Sequence, residues 1–337
     1  MPLNKAGNRG NRVCLLAVTL ALCGAVAPAQ QLYTGSTGVV AREVDQMYLK
    51  GLRYLARTQA AEGNWPDEPR NTERAITALA VLSILAHGDD PNFGPYSKTV
   101  HQGLDYLLKS MDPVTGYIGP SMYNHGFSTL ALAEAYGAVD DPRLGPALEK
   151  AVRLIVNAQA ENSLHAWRYS PDSKDADTTV TGAQMVALLA ARNGGVAVPE
   201  KVIENGLSFF RSCQTPDGGI GYISPIAPNA TRTAIGCVVF ALAKEKNSPA
   251  FKAAFAFLKN APPDPQYPQY FLYYVSQAFF HGSPELWQSW NRDNIRSLRA
   301  TQAAEGNWEG QFGATFGTAG SLLSLALNYR YLPIYER

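Results

Sequence analysis

TQAAEGNW at residues 58–65 occurs a second time at residues 301–308. The two copies belong to a longer repeated unit, whose clearest mark is GLRYL at 51–55 and GLDYL at 103–107. Weaker versions start at residues 151, 206, 254 and 294, so the six starts are 52, 48, 55, 48 and 40 residues apart. Periods of this length are typical of repeat architectures that stack one supersecondary unit. The sequence therefore predicts six units.

Each unit contains two helices of different character. In the first, Leu104, Leu107 and Leu108 share one face, while Asp105 and Lys109 lie off it. The second is apolar nearly all round, as over residues 75–86, 180–191, 234–243 and 318–327. A helix that is apolar on every side must be buried on every side. We therefore predict an all-α ring of six helix hairpins, with apolar helices inside and amphipathic helices outside. The octapeptide shared by the first and last units supports closure of that ring.

Residues 1–29 have the composition of an export signal. Three basic residues precede an uncharged run over 13–27, and Ala-Pro-Ala at 27–29 provides a small-x-small cleavage site. We expect cleavage before Gln30, a lead-in over 30–48, and one helical domain over 49–337. The expected product is a periplasmic or secreted protein without a transmembrane span.

The amino-acid composition excludes two classes of protein. Hydrophobic residues make up 46% and charged residues 17% of the chain, which excludes a disordered protein. The formal net charge of +1 excludes the basic surface of a nucleic-acid-binding protein. After signal cleavage the chain keeps Cys213 and Cys237, which either form a disulfide in an oxidising compartment or remain as two buried thiols.

The turn motifs carry a family resemblance. Gln59-x3-Gly63-x-Trp65 and its copy at 302–308 resemble the glutamine–tryptophan repeats of squalene and oxidosqualene cyclases, and QTPDGG at 214–219 resembles a turn of protein prenyltransferase β subunits. With its six helix pairs, the whole chain after the signal resembles the α/α-toroid superfamily, the (α/α)6 barrel, which includes exported bacterial repeat proteins. The resemblance implies a central cavity and an apolar, isoprenoid-type ligand.

A second motif implies chemistry. DADTT at residues 175–179 resembles the Asp-x-Asp-Asp-Thr motif with which squalene cyclases protonate a double bond. That resemblance assigns Asp177 as the proton donor and Asp175 as its support, but Thr178 stands where the pattern has its last Asp. The alternative is that Asp177, Thr178 or Thr179 caps the helix that follows.

Aromatic residues lie between the two helices of every unit, and we expect these loops to surround one mouth of the central cavity. Seven side chains in the loops or at the starts of inner helices are candidate ligand contacts: Trp65, His125, Trp167, Tyr169, Tyr222, Arg232 and Trp308.

Four functions remain open. We favour binding of a small apolar ligand without a cofactor; the alternatives are a terpene cyclase using Asp177, a non-catalytic envelope scaffold that binds a protein partner, and a secreted glycan-active enzyme. The last would draw a carboxylate pair from the loop acids Asp67, Glu68, Asp175, Asp177, Asp217 and Glu309. A zinc prenyltransferase is excluded because residues 231–236 contain no Asp and the last unit contains no His, so we predict no metal site.

Overall fold

The computed structural model describes residues 40–66 and 70–335. Twelve α-helices in this part of the chain form six consecutive pairs. The outer members are α1 (Arg42–Thr58), α3 (Ser97–Lys109), α5 (Leu144–Ala160), α7 (Glu200–Ser212), α9 (Pro249–Asn260) and α11 (Pro284–Thr301). The inner members are α2 (Glu73–Leu85), α4 (Met122–Ala135), α6 (Thr178–Asn193), α8 (Ala230–Leu242), α10 (Pro268–Gly282) and α12 (Ala314–Ala326). Two 3-10 turns, Arg70–Thr72 and Pro333–Tyr335, complete the regular structure described.

The inner helices form the core of a closed ring. Each inner helix packs against the next in chain order, and α12 packs against α2. Most residues of each inner helix are buried, whereas the outer helices bury only one face. This difference follows from the two sequence patterns, because a helix without a polar face gains free energy by contact on all sides. The predicted all-α toroid of six helix hairpins is confirmed.

The seam between the last and first units is held by specific contacts. The Gln302 side-chain amide donates to the Met47 carbonyl oxygen in α1, at 2.9 Å. Arg57 pairs with Glu305 at 2.9 Å on the surface of the same seam. Exposed ion pairs contribute little to stability, so the amide bond and the α12–α2 packing carry the closure. The second copy of the octapeptide thus binds α1, the first helix of the ring, as ring closure requires.

The boundaries differ from expectation at one end. Helix α1 begins at Arg42, inside the segment 30–48 that the sequence assigns as a lead-in, so the helical domain starts before residue 49. The predicted signal at 1–29 lies outside the described residues. Among the helices that the structure describes, none combines the length and apolar character needed to cross a membrane.

Of the two alternatives left open for Cys213 and Cys237, the disulfide is contradicted by the structure. Cys213 follows the last turn of outer helix α7, whereas Cys237 lies inside inner helix α8, and the two sulfurs are not within bonding distance. Both side chains are buried free thiols. Burial raises the pKa of the Cys213 thiol to about 11 and raises that of Cys237 as well. The other alternative, two buried thiols, is the one that the fold supports.

Candidate functional site

The centre of the ring contains a cavity of about 640 Å³ that is bounded by the starts of the inner helices. All six units contribute to it, because every loop from an outer to an inner helix lies at this end of the ring. The lining residues are Asn71, Thr72, Ala75, Ile76, Leu79, Ser121, Tyr123, Phe127, Tyr169, Thr179, Tyr222, Asn229, Thr231, Arg232, Asp264, Gln266, Tyr267, Tyr270, Phe312 and Phe316. Its volume falls within the roughly 300–1,000 Å³ usual for small-molecule sites. The predicted position of the loops around one cavity is confirmed.

The cavity wall changes from polar to apolar with depth. Ile76, Leu79 and Phe127 lie three to six residues after the first residues of α2 and α4, and they form an apolar floor. Polar side chains such as Ser121 and Asn229 occupy the N-cap positions of inner helices, at the rim. The depth order follows from helix position, since each residue advances about 1.5 Å along its helix. A ligand with an apolar body and a polar end matches this wall.

Two rim tyrosines are placed by the starts of neighbouring inner helices. The Met122 amide donates to the Tyr169 carbonyl at 2.8 Å, and the Thr178 amide donates to the Tyr222 carbonyl at 2.9 Å. The two phenol oxygens are 2.5 Å apart. Each of the two backbone hydrogen bonds joins one unit to the loop of the next. Each also satisfies an amide that the helix leaves without an intrahelical partner. These backbone hydrogen bonds therefore position the two tyrosine side chains on the cavity wall.

Thr178 explains the departure from the cyclase-type motif. Its hydroxyl donates to the Gly221 carbonyl at 2.8 Å, in the loop that carries Tyr222. An ionised aspartate could not donate this bond, because a carboxylate only accepts. Threonine at this position therefore links two units, and it does not contribute a carboxylate to the site.

Asp177 is buried and caps α6. Its Oδ1 atom accepts from the amides of Thr179 and Val180, each at 2.8 Å, and from the Thr179 hydroxyl at 2.6 Å. Its Oδ2 atom lies 3.4 Å from Nε of Arg168 and makes no hydrogen bond within the part of the chain that the structure describes. Burial raises the pKa of the Asp177 carboxyl, while the three hydrogen bonds and Arg168 act in the opposite sense. Asp177 lies behind the cavity wall and not on it.

Arg168 organises this side of the rim, although it is not among the residues predicted from the sequence. Its guanidinium pairs with Asp175 at 2.9 Å. It also lies 5.1 Å from the ring centre of Tyr169 and 5.3 Å from that of Tyr222. Asp175 itself is exposed, so its role in the structure is to pair with Arg168 and not to contact Asp177.

The three tryptophans predicted to contact a ligand lie away from the cavity wall. Trp65, Trp167 and Trp308 are 0%, 2% and 3% exposed and do not line the cavity. Each indole N–H donates, at 2.8–2.9 Å, to a carbonyl oxygen near the end of the outer helix that precedes it. The ring covers the turn and buries its apolar face against the core. Their assignment as ligand contacts is therefore corrected to a structural role.

The assignment of His125 as a ligand contact is corrected in the same way. Its Nδ1 atom accepts from the Ile118 amide at 3.1 Å, and Nε2 lies 3.0 Å from the Ala151 carbonyl, which places the proton on Nε2. Burial lowers the pKa of His125 to about 4. The fully buried, neutral ring joins α4 to α5 and does not reach the cavity.

Arg232 and Asp264 are the charged residues of the cavity wall among those described. Arg232 lies over Tyr222, with 5.8 Å between its guanidinium carbon and the ring centre. Asp264 accepts hydrogen bonds from Asn229 and Thr231, each at 2.9 Å. A carboxylate pair is therefore not present on the described wall.

The other loop acids do not supply a second carboxylate. Asp175, Asp217 and Glu309 are exposed and lie off the wall, while Asp67 and Glu68 lie outside the described residues. Within residues 40–66 and 70–335, no three His, Cys, Asp or Glu side chains are grouped so that they could hold a metal ion.

Four important residues of the site were not predicted: Tyr123, Phe127, Arg168 and Asp264. A spacing of four places Tyr123 and Phe127 on the same face of α4, which is a signal that the sequence contains. The pairing of Arg168 with acids seven and nine residues later depends on the shape of the loop and has no comparable signal.

Comparison with solved structures identifies the fold. A variant of the type II terpene cyclase MstE from Scytonema in complex with the product merosterolic acid A is 17% identical; the match covers 84% of this chain and 96% of that one, with a TM-score of 0.59. Another variant of that enzyme in complex with the substrate geranylgeranyl dihydroxybenzoate is 16% identical, covering 86% and 98%, with a TM-score of 0.60.

A second group of similar structures consists of glycoside hydrolases. An inactive variant of the α-1,6-mannanase GH76A of Salegentibacter sp. HEL1_6, in complex with α-1,6-mannotriose, is 10% identical, covering 85% and 99%, with a TM-score of 0.66. No family model matches the chain, and no curated protein matches it significantly. Since identities this low establish only the fold, the conclusion is structural: the chain is an α/α toroid of the kind found in type II terpene cyclases and family 76 glycoside hydrolases.

Proposed function

We propose that the protein binds an apolar, isoprenoid-type molecule in the central cavity. The observation that carries this proposal is the depth order of the wall, in which an apolar floor lies beneath a polar rim. Eight aromatic side chains line the cavity: Tyr123, Phe127, Tyr169, Tyr222, Tyr267, Tyr270, Phe312 and Phe316. Aromatic rings offer large apolar contact areas, which suits a long hydrocarbon chain.

The number of carboxylates on the cavity wall favours this ligand class over a glycan. The terpene cyclase similar to this chain takes geranylgeranyl dihydroxybenzoate, which has an apolar chain and a polar ring. The similar mannanase binds α-1,6-mannotriose, and a glycosidase of the usual kind needs two carboxyl groups at the sugar. Asp264 alone supplies a carboxylate to the described wall, so ligand binding agrees better with the site. An open cavity also weakens the scaffold alternative, which requires a packed centre.

Filling the cavity is expected to abolish binding. Ala75 lies on the wall at the start of α2, so Ala75→Phe projects a ring into the space that the ligand would occupy. We expect the Kd for geranylgeraniol, measured by isothermal titration calorimetry, to rise by about tenfold or more, which corresponds to about 1.4 kcal/mol.

The matched control is Ala256→Phe, the same substitution on the exposed face of outer helix α9, which should leave the Kd unchanged. Equal affinity of the wild type and Ala75→Phe would contradict binding in the cavity. Native mass spectrometry of protein purified from its own cells would then show whether an apolar molecule is bound elsewhere.

A second candidate function is a terpene cyclase. It is favoured by the buried Asp177 carboxyl, whose Oδ2 has no hydrogen bond within the described residues and whose pKa is raised by burial. Thr179 contacts both Asp177 and the wall residue Tyr123, and so connects the acid to the cavity. The position of Asp177 behind the wall is unfavourable for direct proton transfer to a ligand.

The cyclase candidate predicts that the wild type converts squalene or geranylgeranyl dihydroxybenzoate to cyclised products detectable by mass spectrometry. Asp177→Asn should abolish the products while retaining ligand binding, because the amide oxygen can still cap α6. A wild-type protein that leaves both polyenes unchanged would refute this candidate without affecting the binding proposal.

The proposal also includes export, which rests on residues 1–29 alone. Sequencing the N-terminus of the protein recovered from its own cells tests this part, because cleavage would leave Gln30 as the first residue.

A further inference from the structure

Arg232 is a charged side chain without a charged partner on the cavity wall. It lies in the first turn of α8 and is partly buried. One terminal nitrogen donates to the Ala227 carbonyl, while the buried Nε makes no hydrogen bond with any described residue. No carboxylate of the described residues is within ion-pair distance of its guanidinium, and Asp264 and Asp177 act on it only at longer range. The guanidinium therefore retains unused capacity to donate to an acceptor.

The nearby carboxylate of Asp264 is already engaged. One oxygen accepts from Asn229 and Thr231, and the other accepts from the Gln266 amide at 3.0 Å. These contacts hold Asp264 against the loop before α10 and the start of α8. These neutral donors therefore hold Asp264 in place, and its carboxylate does not form an ion pair with Arg232.

A partly buried cation without a counter-ion is costly, because it loses hydration and gains no ion pair in return. The burial also lowers the pKa of Arg232, because the loss of hydration destabilises the charged form of the guanidinium. Two other partly buried arginines differ in this respect: Arg168 pairs with Asp175, and Arg192 pairs with Glu200. An anion delivered by a ligand would remove the cost at Arg232.

We propose that Arg232 binds the anionic head group of the cavity ligand, either a carboxylate or a phosphate, so that the ligand is an anionic amphiphile. The assignment of the tail rests on the proposed function, whereas the anion site rests on Arg232 itself. The guanidinium matches the geometry of both oxyanions and can donate two hydrogen bonds to either. Its position at the start of a 13-residue helix adds the positive end of the helix dipole.

The first test compares ligands that share a C20 chain and differ in the head group. Wild-type protein should bind geranylgeranoic acid or geranylgeranyl phosphate about tenfold or more tightly than geranylgeraniol. Arg232→Gln should remove this preference for the anionic ligands over the alcohol, while Arg232→Lys should keep part of it. The tighter of the two anionic ligands identifies the head group.

The matched control is Arg192→Gln, because Arg192 lies at the opposite end of α6 and pairs with Glu200 away from the cavity. This variant should retain the full preference for the anionic ligands. Equal binding of the acid, the phosphate and the alcohol by the wild type would overturn the anion site while leaving the proposed apolar ligand in place.

The second test uses inorganic phosphate alone, at constant ionic strength, so that it does not depend on the tail. Phosphate should raise the Tm of the wild type and of Arg192→Gln, but not that of Arg232→Gln. If no C20 compound binds and phosphate still protects through Arg232, the proposed function fails and the anion site stands. Equal protection of the wild type and Arg232→Gln would refute the anion site.

Discussion

Trp167→Ala is expected to lower the free energy of unfolding by about 3–5 kcal/mol, the usual cost of removing a buried tryptophan side chain. The indole of Trp167 is 2% exposed, and its N–H donates to the Ile155 carbonyl at 2.8 Å. Its backbone is tied to the start of α6 as well, since the Asp177 amide donates to the Trp167 carbonyl at 3.1 Å. Alanine would leave a cavity beneath the turn and remove the indole bond. Urea unfolding followed by circular dichroism measures the loss.

Two variants separate a structural role from ligand contact. Phe93→Ala removes an aromatic ring that is 90% exposed and should change stability by less than about 0.5 kcal/mol. Tyr222→Ala removes a ring from the cavity wall and should weaken geranylgeraniol binding more than it weakens the fold. If Trp167→Ala instead kept its stability and lost ligand binding, the tryptophan would have to be reassigned to the ligand site.

Gly306→Ala is expected to destabilise the protein by about 2–5 kcal/mol through the seam of the ring. Gly306 has φ +98°, where an L-residue costs about 1–2 kcal/mol. A Cβ atom there would lie 2.5 Å from the Lys50 carbonyl oxygen of α1, and such overpacking adds about 1–3 kcal/mol. The obstruction is backbone, so it can be relieved only by moving α1 away from the last unit. Thermal and urea unfolding both measure the effect.

Gly195→Ala is the matched control, because Gly195 has φ +89° but no heavy atom within 4 Å of the added Cβ position. Its expected cost is that of the left-handed backbone alone, about 1–2 kcal/mol. The difference between the two variants therefore measures the close approach at the seam. Equal losses for Gly306→Ala and Gly195→Ala would show that the seam tolerates a methyl group.

The two copies of the octapeptide perform the same task at successive seams. In the first copy the Gln59 amide donates to the Thr99 carbonyl of α3 at 3.0 Å, and in the second the Gln302 amide reaches Met47 of α1 at 2.9 Å. Their identity is thus a consequence of a shared local geometry. The resemblance of this motif to the cyclase repeats correctly predicted the toroid, because the motif encodes how one hairpin packs on the next.

The site was harder to predict than the fold. Tryptophan and tyrosine occur in the same loops, and nothing in their spacing distinguishes a ring that covers a turn from one that faces the cavity. Trp167 turns back to its own outer helix, whereas Tyr169, two residues later, reaches Tyr222 in the next unit. His125 shows the same difficulty, since its two backbone partners lie seven and 26 residues away along the chain.

The sequence alone therefore determined the number of units, the inner and outer helices and the helical class, because each depends on a periodic pattern within some 50 residues. Tertiary structure decided which side chains line the cavity, that Asp177 lies behind the wall, that Cys213 and Cys237 stay apart, and that Arg232 has no charged partner among the described residues. The physical reason is the range of the interactions. Burial of a helix face follows from its own sequence, whereas the surroundings of a loop residue are set by neighbouring units whose positions are fixed only when the ring closes.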